Sequence, residues 1–187
     1  MLTLIEASTG LPVPLDDVKI NQLRIEHDDE DQHITDLIHA AHQMIEKALG
    51  RSFLSQTWEM TLPRFCDCLS CRCKIYLPFA PLDSVESIEY YDSNDVLQTM
   101  SVNDYYVVAS TEERGFVQPK LYWPSVNCYR PDAVKITFIT QDNNTNPIFV
   151  QLIKIWVTLL YENRTGEISK QEEATIDRLE NLLRVYS

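Results

Sequence analysis

The order of patterned segments predicts an α+β protein: a small helical bundle with an antiparallel β region inserted in its middle. Three observations carry that reading. Ile34, Leu37, Ile38, Ala41, Met44, Ile45, Ala48 and Leu49 recur at the helical period of about 3.6 residues. From Thr57 to Ile139 the apolar runs shorten, and proline, aromatic and β-branched residues rise. Two further helical patterns follow, one opened by Pro147 and one from Lys170 to Tyr186. Helices, then strands, then helices in blocks is the α+β order, not an alternating βαβ one. At 187 residues the chain fits a single domain, helical over 15–50, β-rich over 57–140 and helical again over 147–186.

The elements follow in order. Residues 1–14 hold Pro12 and Pro14 and end in a turn. Leu15 to Ile25 reads as a short helix with Asp16-Asp17 in its first turn, where the helix dipole favours acid. Asp28-Asp29-Glu30-Asp31 reads as a helix start, an N-cap Asp followed by first-turn acids, because the apolar period begins directly after it. Gly50 supplies the stop, since glycine tolerates the positive φ of a C-terminal cap. Strands are expected at Thr57–Leu62, Cys73–Leu77, Val85–Tyr91, Asp104–Ala109, Phe116–Tyr122 and Ala133–Thr140, with a turn at Asp92-Ser93-Asn94-Asp95. Pro147 stands where its missing N–H costs nothing. The second helix should bury Ile148, Leu152, Ile155 or Trp156, and Leu159, and end near Arg164 to Gly166. The third should bury Ile176, Leu179, Leu182, Leu183 and Tyr186.

Composition excludes several classes. Lys and Arg number 16 against 28 Asp and Glu, a net charge of −12, which argues against a protein built to grip phosphates. The four glycines, at 10, 50, 115 and 166, are too scattered for a phosphate-cradling loop. Met1 to Leu15 lacks a basic residue before an apolar run and does not read as a signal peptide. Pro147 to Leu160 is too short and too polar to span a bilayer. A reducing cytoplasm is therefore expected, with the five Cys as thiols or metal ligands in preference to disulfides.

The sharpest local feature is Cys66-Asp67-Cys68-Leu69-Ser70-Cys71-Arg72-Cys73. If Leu69-Ser70 forms a two-residue turn, Cys66, Cys68, Cys71 and Cys73 share one face of a hairpin and could close around Zn²⁺. The spacing is not that of the familiar zinc knuckles, and Leu-Ser lacks the residues a primed turn favours. Zinc, cross-strand disulfides and free thiols all remain open, and Cys128 stands alone. His39 and His42, i and i+3 with Glu46 a turn further on, could share a metal, but a solvated helix face is expected. No G-x-S-x-G elbow is present, and no catalytic residue is nominated. Tyr105-Tyr106 and Trp123-Pro124 could form a stacking platform, yet beside a charge of −12 they read as core and turn residues.

One resemblance exceeds these signals. Gly50-Arg51-Ser52-Phe53-Leu54-Ser55-Gln56-Thr57-Trp58-Glu59 leads out of the first long helix. Leu77-Pro78-Phe79-Ala80-Pro81-Leu82-Asp83-Ser84-Val85-Glu86-Ser87-Ile88-Glu89-Tyr90-Tyr91-Asp92 follows, then Tyr105, Trp123-Pro124, Val134–Ile139 and Tyr161-Glu162-Asn163-Arg164. In order and spacing this resembles the head–tail connector (adaptor, or head-completion) proteins of tailed double-stranded DNA bacteriophages, over about Leu15 to Arg164. The resemblance implies a virion protein of the neck, assembled in the host cytoplasm, with no catalysis, cofactor or membrane contact. It implies a homo-oligomeric ring, twelve-fold in the family, that sits under the portal protein after packaging. The ring extends the channel for DNA, its passing cargo, and offers a docking surface to neck or tail-completion proteins. The C-terminal helix contacts the portal in related connectors, which nominates Arg178, Arg184 and Tyr186. Deleting Lys170 onward is then expected to abolish portal binding and leave a folded monomer. The four cysteines before Leu77-Pro78 depart from the family, which has a plain loop there. The alternatives are a small metal-binding module built on the cysteine hairpin, or another neck or tail protein such as a tail terminator.

Overall fold

The computed structural model describes residues 1–65, 73–109, 114–127, 129–142, 146–163 and 170–183. The chain expected as one domain groups into two compact units. Met1–Ser8 and Ser55–Asp142 make a β unit; Thr9–Leu54 and Asn143–Tyr186 make a helical unit.

In the helical unit, α1 (Asp31–Leu49), α2 (Pro147–Glu162) and α3 (Lys170–Leu183) pack with a wide helical turn at Asp17–Gln22. The spacing of Ile34, Ile38, Ala41, Ile45 and Leu49 puts them all on the buried side of α1. Gly50 ends it at φ 63°, its N–H donating to the Glu46 carbonyl, as its position predicts. The Asn146 side chain accepts from the Ile148 and Phe149 N–H groups, and Pro147 follows it in the first turn of α2. Phe149 stacks on Phe53, ring centroids 3.6 Å apart and planes 3° apart.

Four features of the helical unit differ from the sequence expectation. The acidic run does not cap α1 through a side chain: Glu30 precedes the helix without such a bond. Instead Asp28 and Asp31 (2.7 Å) close on the ammonium of Lys19, which is 4% exposed. A buried ammonium must find partners, and that demand outweighs capping. The buried stripe of α2 is rotated, being Phe149, Leu152, Ile153, Val157 and Leu159. On α3 Ile176 and Leu183 are buried, whereas Leu182 is 69% exposed. His42 is buried against Phe149, not solvated, and lies 3.2 Å from a Glu46 oxygen.

The β unit contains an antiparallel sheet of order β1-β2-β8-β4-β5, from β1 (Leu2–Glu6), β2 (Thr57–Leu62), β4 (Leu82–Tyr91), β5 (Leu97–Thr99) and β8 (Val134–Thr140). A second sheet runs β3-β7-β6, from β3 (Ile75–Tyr76), β6 (Tyr105–Val108) and β7 (Phe116–Pro119). Central β8 alternates strictly, burying Val134, Ile136, Phe138 and Thr140, so one face of it meets the core. Strands β1 and β5 are not anticipated by the sequence pattern. Both are short edges: β5 is exposed throughout and β1 nearly so, hence neither alternates.

Candidate functional site

The sequence-nominated residues fall in different places. Cys66, Cys68 and Cys71 lie outside the described residues, as does Cys128. Cys73 is disulfide-bonded. A sulfur in a disulfide is not a thiolate, so zinc at Cys73 and this bond exclude each other, and reduction decides which is possible. Cys73 is also tied by its backbone: its carbonyl accepts from the Trp123 indole N–H at 2.9 Å. Trp123 is buried and stacked on Phe65 at 4.5 Å, so it belongs to the core, as does Tyr105. Burial pushes the Tyr105 phenol above its ordinary value. Among the described residues no group of three His, Cys, Asp or Glu is placed to hold a metal.

Of the portal-facing candidates, Arg178 is exposed on α3, while Arg184 and Tyr186 lie outside the described residues. Ala174, Arg178 and Leu182 are exposed at four-residue spacing, so they share one face of the helix. The opposite side is anchored. Ile176 and Leu183 enter the core cluster, and the Arg51 guanidinium donates to the Leu183 carbonyl at 3.0 Å. Deleting Lys170 onward would open that core and strip the Leu183 carbonyl from Arg51, so it would not leave the helical unit intact. This replaces the expectation of a folded truncated monomer.

The β unit has an open cleft of about 590 Å³, lined by Tyr90, Met100, Asp104, Lys120, Leu121 and Tyr122 among others. Leu121 and Tyr122 on its rim are 65% and 69% exposed. Apart from Pro124, no lining residue is nominated by sequence, because the cleft is formed by three separate stretches of chain, near Tyr90, Met100 and Lys120. Nearby, the turn before β5 is built by Asp92, whose carboxylate accepts from the Asn94 and Val96 N–H groups. Those bonds, Val96 first, hold its carboxyl below the usual range. Arg130 lies 3.6 Å over the Tyr91 ring and pairs with Asp95 and Asp132, which fixes the chain leading into β8. Among the described residues no helix is long and apolar enough to cross a membrane.

Comparison with known proteins gives a consistent answer. A family model described as Phage gp6-like head-tail connector protein matches residues 13–114, more than half of the chain. A search of curated proteins finds no match. The fold is similar to a chain in the neck of an empty gene transfer agent particle computed with C6 symmetry. Identity there is 17%, coverage is 100% of this chain and 96% of that one, and the TM-score is 0.80. A chain in the virion of the native gene transfer agent particle matches at 16% identity, the same coverage and a TM-score of 0.79. A chain in the neck of the native particle computed with C12 symmetry matches at 18% identity over the same shares, with a TM-score of 0.68. At these identities the likeness is one of fold, and it includes α3, which the residue resemblance leaves out.

Proposed function

This chain belongs to the phage gp6-like head–tail connector family, and we propose that it is a structural protein of the virion neck that forms a homo-oligomeric ring under the portal. The family match over residues 13–114 is the observation that carries the reading. Similarity of fold to neck chains in particles computed with C6 and C12 symmetry supports a ring. The ring extends the channel through which packaged DNA passes and presents a surface to a neck or tail-completion protein. It has no catalytic step.

Two features of the chain support the details. A net charge of −12 suits a wall that lets phosphate slide, whereas a basic wall would hold it. The Ala174–Arg178–Leu182 face of α3 suits the portal contact, offering one cation and one large apolar side chain on a helix whose other side is anchored by Arg51.

The test is deletion of the gene in its phage, followed by electron microscopy of the lysate. DNA-filled or leaky heads beside separate, finished tails are expected. Normal infectious particles would overturn the reading.

A further inference from the structure

The face of the β3–β7–β6 sheet opposite its core is aromatic and basic, in a chain that is acidic overall. Register puts Tyr76, Phe116 and Val108 in one cross-strand row and Tyr106 beside Gln118 in the next. Their neighbours Ile75, Val117 and Tyr105 go to the buried side. Tyr76 and Tyr106 are each 57% exposed. Lys74 Nζ lies 4.2 Å over the Phe116 ring, and Lys120 Nζ lies 5.1 Å over the Tyr106 ring. The three strands themselves contain no carboxylate. Strand β6 is also a sheet edge, and Tyr105–Val108 has none of the charges or prolines that usually blunt one.

We infer that this face is a subunit–subunit contact, occupied in the ring by an acidic surface of a second copy of the chain. The inference rests on the ring proposed above and names the surface that builds it. Duplex DNA would use only the lysines, because stacked bases offer the tyrosines no open face. An acidic protein surface uses both kinds of group: the rings are buried and the ammonium groups pair with carboxylates. The chain has the surplus carboxylates that such a surface needs, with 28 acids against 16 bases. A ring contact is heterologous, so each copy presents this basic face to a different, acidic patch of the next one and like charges do not meet.

The test places the photo-crosslinker p-benzoylphenylalanine at position 106, and separately at position 76, in a phage complemented with the variant chain. Purified particles are irradiated. An adduct at twice the 21.7 kDa subunit mass is expected from both positions. Lys74→Glu combined with Lys120→Glu should lower its yield severalfold while leaving the thermal melt unchanged; an undiminished yield would refute the charge argument. An adduct with another virion protein or with DNA, or no adduct, would overturn the inference and leave the neck assignment standing. A chain missing from the particles would instead sink the neck reading, and this inference with it.

Discussion

Arg51 Nη1 donates to the main-chain carbonyl of Leu183, across 132 positions of sequence, at 3.0 Å. Arg51 is 9% exposed and lies just past the Gly50 stop. One side chain therefore ties the exit of α1 to the end of α3, and the interaction is out of reach of solvent. Arg51→Met should cost about 1.5–3 kcal/mol, the range for a bond to a charged group. Urea unfolding would measure it. An unchanged midpoint would mean that this bond is not needed and that the other contacts of α3, among them Ile176, Leu179 and Leu183, hold it.

Lys19 supplies a pH signature. Asp28 first, then Asp31, raise the Lys19 ammonium above its ordinary 10.5, and Lys19 lowers the Asp28 carboxyl below 3.8. Stability from the lowered carboxyl is complete above 3.8 and fades as pH falls through its folded value. Stability from the raised ammonium is complete below 10.5 and fades as pH rises through its folded value. Lys19→Met should therefore destabilise the protein throughout the neutral range, with a deficit that narrows in strong acid. Denaturation of both proteins across pH would show it.

Asn146→Ala should cost about 0.5–2 kcal/mol, because it leaves the Ile148 and Phe149 N–H groups without their acceptor. Asn146→Asp should be neutral or stabilising, since it keeps an acceptor and adds charge at the positive end of α2. Thermal melts of the two variants check both signs.

Gly115 is needed for space. A Cβ there would stand 2.5 Å from Leu82 Cδ2 and 2.6 Å from Leu82 Cβ. Gly115→Ala should destabilise by about 1–3 kcal/mol, as overpacked cores do. Adding Leu82→Ala should not rescue it, because the Leu82 Cβ remains. Recovery in the double variant would show that only the end of the Leu82 side chain is in the way.

The bond at Cys73 makes a countable prediction. A disulfide consumes two of the five Cys, so denatured, unreduced protein should titrate with at most three thiols. Five would mean the chain is fully reduced, and the zinc site would then be testable by metal analysis with Cys71→Ser as control.

How much of this was legible in the sequence depends on what each residue answers to. β2 has its expected bounds, β8 and α1 are close to theirs, and Gly50 stops α1, because each pattern reports one face meeting one core. The acidic run marks the start of α1 as expected, but its capping role is misassigned, because Lys19, the partner of Asp28 and Asp31, belongs to another segment. His42 and Leu182 are misassigned because periodicity defines a stripe but not its exact edges. The aromatic and basic face is harder still. Its strands are individually visible, yet β7 lies between β3 and β6, and no local pattern records which strands become neighbours. The resemblance reached the family where residue chemistry could not, because no single motif of the chain carries it.

The first strand has a consequence for synthesis. The Met1 ammonium donates to the Thr61 carbonyl and the Thr61 N–H to the Met1 carbonyl, 60 positions apart. Strand β2 then waits for β8 on its other side, and α1 waits for α2, which starts at Pro147. Such distant pairings close late and slowly. On a translating ribosome neither unit can finish until most of the chain has emerged. The nascent chain therefore spends its elongation with half-built sheets exposed, and both units reach their final packing only when synthesis is nearly over.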